Sequence, residues 1–157
     1  MNDYIKEMRK QIGNTPLLCI GCGAIVENEC GEVLLQKRID DGTWGTPGGT
    51  MNFNETFIET ANREVQEETG LIIKDLSLFG IYSGKSSVVE YPNGDVCFGG
   101  HIVFKTTTYS GTLLACPAES AELNFFAKDN LPPNLHPFHA IWIEQWRKGG
   151  NTPAFVE

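Results

Sequence analysis

Three glutamates, Glu64, Glu67 and Glu68, stand at i, i+3 and i+4 in a chain of 157 residues, inside the segment GTMNFNETFIETANREVQEETGL that runs over 49–71. On a helix that spacing stacks side chains on one face. Three like charges so placed repel one another, and the face either stays in water or takes a counter-charge, of which a divalent cation is the strongest. Carboxylate oxygens suit Mg²⁺, a cation that keeps part of its water shell and is readily bridged by phosphates. A metal held on that face would bridge the phosphates of an anionic small substrate to a protein that is itself negative.

The elements that must hold these carboxylates are legible around them. The acidic stretch predicts a helix over 55–69, with Asn54 as its N-cap, Glu55 and Glu59 in the early turns where the dipole favours anions, and Gly70 as its stop. At 100° per residue Ile58, Ala61 and Val65 form a docking face, and Glu64, Glu67 and Glu68 take the neighbouring arc. Apolar runs at 17–26 and 32–38, joined by ENECG, predict a strand pair, and the glycine-dense DDGTWGTPGG leads from them into the helix. Long strands are predicted at 71–82 and 96–107 with the turn residues YPNGD between them, and a shorter one at 121–127. A leading helix falls within 1–14, carrying Tyr4, Ile5, Met8 and Ile12, and a last helix at 137–148 packs through Ile141, Trp142, Ile143 and Trp146. Strands with helices between and after them predict an α/β fold, a mixed sheet between helices, in one domain covering 1–157.

The same segment resembles the Nudix box, G-x5-E-x7-R-E-U-x-E-E-x-G-U with U aliphatic. Gly49, Glu55, Arg63, Glu64, Val65, Glu67, Glu68, Gly70 and Leu71 fill every specified position. LLQKR and WGTPGG before the box, and ELNFF and DNLP after it, look like features of the same family. The resemblance implies the Nudix fold, an α/β/α sandwich around a mixed sheet, and hydrolysis of a nucleoside diphosphate linked to a group X. It implies Glu67 and Glu68 as direct ligands of Mg²⁺, with Mn²⁺ as a substitute, Glu64 as a ligand or an aid to water activation, and the Gly48 carbonyl as a further donor. It also implies that Arg63 and Glu55 orient the glutamates rather than react. Where similar proteins often carry an acidic residue and a glycine, this chain has Asn52 and Asn54; Asn tolerates left-handed backbone, and Asn52 removes a charge.

Beyond the box, Glu119 and Glu122 are candidates for an extra base or ligand, and Arg38 and Trp44 for substrate contact. Trp44, Phe53, Tyr82, Tyr91 and Phe98 are the rings that could stack on a nucleobase. His101, His136 and His139 show no ligand spacing and are expected to be structural. The net charge of −8 argues against a general nucleic-acid surface, so the expected partner is a small nucleotide, brought to a negative protein by metal. Cys19 and Cys22 form C-x2-C inside a predicted strand with no second pair to complete a zinc set, and the five cysteines are expected to be reduced thiols. No run approaches the roughly 18 apolar residues of a membrane helix. The charged N-terminus lacks an apolar signal core, which makes the cytoplasm the expected compartment. Among substrates, ADP-ribose and nucleotide sugars lead and oxidised nucleoside triphosphates follow. A nucleotide-sensing domain without turnover is the competing class, and RNA 5′ ends fit the acidic balance less well. Dimers are common in similar proteins, with the leading and last helices as the candidate contact elements.

Overall fold

A computed structural model describes residues 3–90, 93–150 and 153–156. In chain order its elements are α1 (Asp3–Ile12), β1 (Leu17–Val26), β2 (Val33–Arg38), β3 (Trp44–Gly45), β4 (Gly48–Thr50) and α2 (Phe57–Thr69). They continue with β5 (Leu71–Lys74), β6 (Ser77–Tyr82), a 3-10 turn (Lys85–Ser87), β7 (Val88–Glu90), β8 (Val96–Thr106), β9 (Thr108–Gly111), β10 (Ser120–Phe126), α3 (His139–Arg147) and β11 (Ala154–Val156).

The central sheet runs β11-β6-β8-β1-β4, with β7 also on β8. It is mixed, because β1 lies parallel to β8 and β11 parallel to β6 while the other pairs are antiparallel. β10-β2-β3 and β5-β9 form two smaller sheets. Strand alternation divides the apolar side chains into two layers. Ile25, Val33, Leu35 and Val103 face Trp142, Ile143 and Trp146 of α3, and Ala24, Val26, Leu34, Ile102 and Phe104 face Ala61 and Val65 of α2. The sheet is thus covered by a helix on either side, the α/β/α sandwich expected.

Three local expectations change. The predicted long strand over 71–82 is two strands in different sheets, separated where Asp75 takes a positive φ of 50°. The N-cap is Thr56 rather than Asn54, with a reciprocal capping box in which Thr56 Oγ1 accepts from the Glu59 N–H and Glu59 Oε2 accepts from the Thr56 N–H. Asn54 sits two residues earlier at φ 66°, the left-handed backbone its side chain tolerates. Ile58 is half exposed and does not dock; the buried stripe of α2 is Thr60, Ala61, Glu64, Val65, Glu68 and Thr69. Two of the glutamates therefore lie inside the docking stripe itself. Cys22 is buried on the α2 side of β1, Cys19 is half-buried, and all five cysteines are free thiols. Tyr91 lies outside the described residues.

Candidate active site

A cavity of about 420 Å³ opens where the β3–β4 turn, α2, β1, β8 and the start of α3 meet. One pole of it is acidic. Glu64 and Glu68 line it one helical turn apart, both buried, together with Gly48, Gly49 and Glu119. Burial pushes the Glu68 carboxyl up to about 8 and raises Glu64 as well, and in both the charge of Glu119 adds to the rise.

Each carboxylate is held by named partners. Glu68 Oε2 accepts from the Gly48 N–H at 2.7 Å and from Gln36 Nε2 at 2.8 Å. Gln36 is buried on β2 and is fixed in turn by the buried Ser120 hydroxyl of β10, which donates to its Oε1. This chain from Ser120 through Gln36 to Glu68 was not foreseen from the sequence, because it depends on the β10–β2 pairing. Glu64 Oε1 accepts from Arg63 Nη1 at 2.7 Å. Arg63 grips Glu55 through Nε at 2.6 Å and Nη2 at 3.0 Å, and also donates to the Thr50 carbonyl. Those bonds hold the Glu55 carboxyl at about 2, far below its usual value. The eight-residue separation closes because Glu55 lies in the turn before α2 rather than on the helix. Glu67 is exposed and touches Arg63 at 3.3 Å, so α2 brings Glu64 and Glu68 together at the cavity while Glu67 is not among the residues that line it.

Glycines shape this pole. A Cβ on Gly49 would stand 2.6 Å from the Glu64 carboxylate, and one on Gly48, whose φ is 154°, would strike the Gly23 Cα at 2.6 Å and the Cys22 carbonyl at 2.7 Å. The side chains gathered here are the carboxylates of Glu64, Glu68 and Glu119, oxygen donors that suit a hard divalent cation. Among the described residues no three carboxylate, imidazole or thiol groups already converge on one point.

Of the other residues singled out by sequence, Arg38 lines the cavity, paired with Asp40 at 2.5 Å. Trp44 does not, since it is buried in the α3-side core against Phe126, and Glu122 is exposed on β10 away from the lining. Tyr82 is core, donating to Gln145 Oε1 at 2.8 Å, while Phe53 and Phe98 are exposed and stand outside the cavity. The rings that do line it are Phe138 and Trp142, with His101, His136 and His139. The three histidines, expected to be structural, border one cavity because β8 meets the start of α3, a juxtaposition that spacing along one element does not record. Trp142, expected only to pack, does both.

These features agree with what the chain is similar to. A NUDIX domain model matches residues 18–146. An ADP-ribose pyrophosphatase of Methanocaldococcus jannaschii is 36% identical over 135 residues, 83% of this chain and 75% of that one. A putative 8-oxo-dGTP diphosphatase of Bacillus subtilis is 30% identical over 129 residues, 82% of this chain and 80% of that one. The crystal structure of a MutT NUDIX hydrolase from Burkholderia pseudomallei superimposes with a TM-score of 0.70 at 28% identity, over 82% of this chain and 98% of the other. The chain belongs to the Nudix family and is a hydrolase of phosphorus-containing acid anhydrides. Enzymes of this family use a divalent metal and act on small nucleotides. Among the described residues no helix is long and apolar enough to cross a membrane.

Proposed function

We propose that the chain hydrolyses the phosphoanhydride of a nucleoside diphosphate linked to a second group, with ADP-ribose or a nucleotide sugar as substrate, in the presence of Mg²⁺. The observation that carries this is the pair of buried carboxylates, Glu64 and Glu68, side by side on a cavity wall and each fixed by a hydrogen bond from its own donor. Bringing two ionised carboxylates out of water is unfavourable unless a cation joins them, and here Arg63 reaches only Glu64.

Glu64 and Glu68, with the exposed Glu67 one turn along and the Gly48 carbonyl, would hold the metal, which when bound neutralises phosphate charge and acidifies water. Arg63 and Glu55 act as supports, keeping Glu64 in one orientation before substrate arrives. The attacking water gives its oxygen to one phosphorus, the bridging P–O bond breaks, and the water's proton passes to a carboxylate at this pole. Glu119 stands ready as a further base or ligand. For ADP-ribose the products are AMP and ribose 5-phosphate. The Methanocaldococcus relative supports this substrate class, and the Bacillus relative supports oxidised nucleoside triphosphates as the second reading.

A panel of ADP-ribose, nucleotide sugars, dinucleoside polyphosphates and oxidised dNTPs, incubated with Mg²⁺ and scored by product identity, is the test. Metal-dependent product from ADP-ribose, lost by orders of magnitude in Glu68→Gln, is expected. Undiminished turnover in Glu68→Gln would overturn the metal assignment. Tight binding without product across the panel would point instead to a sensor.

A further inference from the structure

The C-x2-C of the sequence is not a pair in space. Cys22 packs on the α2 side of β1, whereas Cys19, three residues earlier on the same strand, lies on the opposite face. The partner of Cys19 comes from 78 residues away. Its thiol donates to Cys97 Sγ of β8 at 3.6 Å, and both cysteines line the cavity. The parallel register explains the contact: Leu17 stands opposite Cys97 and Cys19 opposite Gly99, so the cysteines are diagonal neighbours on one face of the sheet. Gly99 puts no side chain beside them, and a Cβ there would stand 2.6 Å from the Cys19 carbonyl. Ser87, at the end of the 3-10 turn that leads into β7, lines the same cavity. It is 1% exposed, and its hydroxyl has no hydrogen-bond partner among the described residues.

The charges around the pair are already matched. Arg9 of α1 pairs with Asp95 at 3.2 Å and donates to the Val96 carbonyl at 2.7 Å and to Cys97 Sγ at 3.6 Å. Burial, with the Cys97 sulfur beside it, pushes Cys19 up to about 12, so it is a neutral thiol at neutral pH. Two thiolates and one divalent ion would add no net charge here. Geometry decides what the pair can do. A disulfide needs Cα atoms within about 7 Å, and a diagonal pair on adjacent strands, offset by two residues, stands about 8 Å apart. A bridging atom removes that obstacle. Two thiolates on a tetrahedral zinc ion, each at about 2.3 Å, lie about 3.8 Å from one another, close to the 3.6 Å between these sulfurs.

We propose that Cys19 and Cys97 form a two-thiolate clip for a soft divalent cation of the zinc class, tying β1 to β8 beside Gly99. On binding, two S–H bonds break, two sulfur–metal bonds form and both protons leave to solvent. Among the described residues no third thiol, imidazole or carboxylate converges on the pair, so water from the cavity completes the coordination. The unpartnered Ser87 hydroxyl on the same wall supplies a hydrogen bond for that water. The clip is separate from the acidic pole. Four residues of β1, about 13 Å of strand, divide Cys19 from Gly23, which lies against the Gly48 that bonds Glu68. Mg²⁺ is hard and takes oxygen there, whereas thiolate selects softer ions.

The test titrates the reduced full-length protein with Cd²⁺, whose bonds to thiolate give an ultraviolet charge-transfer band, in excess Mg²⁺. One Cd²⁺ per chain carrying that band is expected, and Zn²⁺ should displace it. Cys19→Ser and Cys97→Ser should each weaken binding about a hundredfold, the share of one ligand in a zinc site, and remove most of the band. Cys30→Ser, which changes an exposed thiol outside the cavity, and Glu68→Gln should leave the band unchanged. In the parent itself, bound Cd²⁺ should protect Cys19 and Cys97 from alkylation, read on their peptides by mass spectrometry, so the result does not hang on one variant's folding. An unaltered band in either Cys19→Ser or Cys97→Ser would overturn the proposal, as would equal alkylation of both cysteines with and without Cd²⁺, or loss of the band in Cys30→Ser or Glu68→Gln. The band is read without turnover, so a failed clip and a failed hydrolytic assignment of the acidic pole are told apart.

Discussion

Glu68 carries a carboxylate that folding takes out of water, and the consequence for stability can be worked out. Its ordinary value of 4.5 rises to about 8 in the folded chain, chiefly through burial. A carboxyl whose folded value is raised favours folding when protonated, so its contribution is full below 4.5 and is lost as pH climbs through about 8. Weighting the two protonation states with these values, the group alone should add about 2 kcal/mol to metal-free stability between pH 8.5 and pH 6.5. The buried histidines work the other way. Their values are lowered on folding, so their contribution is full above 6.5 and lost as pH falls below it. A single pH profile therefore mixes opposing effects, and the clean quantity is the difference between parent and Glu68→Gln, in which the histidines cancel. The amide keeps a carbonyl oxygen for the Gly48 and Gln36 donors, so the geometry survives. Urea or thermal denaturation with a metal chelator present should show Glu68→Gln gaining on the parent by about 2 kcal/mol from pH 6.5 to pH 8.5, some 4–8 °C in Tm for a chain of this size. Excess Mg²⁺ at pH 8.5 should stabilise the parent and close that gap. Parallel pH profiles in chelator would refute the claim that a buried, uncompensated carboxylate sits there.

Three further outcomes follow from the same contacts. Gly49→Ala puts a methyl 2.6 Å from the Glu64 carboxylate, the movable end of a side chain, so turnover should fall at least tenfold while Tm changes little, as a melt beside a rate assay would reveal. Arg63→Gln breaks the two-pronged grip on Glu55 and frees Glu64, and should cost about 1–3 kcal/mol by denaturant titration; an unchanged midpoint would mean the pair contributes nothing. Ser120→Ala releases Gln36 and so loosens Glu68, which should raise the Mn²⁺ dissociation constant severalfold by spin-resonance titration, whereas equal metal affinity would make the serine merely structural.

Local patterns carried much of this molecule. The i, i+3, i+4 glutamates and the filled box placed a helix and an acidic cluster from residue types alone, because helical periodicity and capping depend on near neighbours. Alternating apolar residues likewise marked the strands, and β8 (Val96–Thr106) and β10 (Ser120–Phe126) lie within a residue of where they were expected. Even so, the neighbours of Asn54 decided the cap, since Thr56 and Glu59 satisfy two backbone donors together where Asn54 instead turns the chain.

What only the tertiary structure decided was which groups meet across elements. Glu64 and Glu68 share a face with Ala61 and Val65, and the docking of α2 on β1 turned a pattern of charges into a buried pair while leaving Glu67 in water. Gln36 and Ser120 are 84 residues apart and touch only because β2 and β10 pair. His101 joins Phe138 and Trp142 because β8 runs beside β1 at Gly21 and α3 covers that side of the sheet. A hydrogen bond or a ring contact is short-ranged, so its partners are fixed by topology and packing, and spacing along one chain segment holds no record of them.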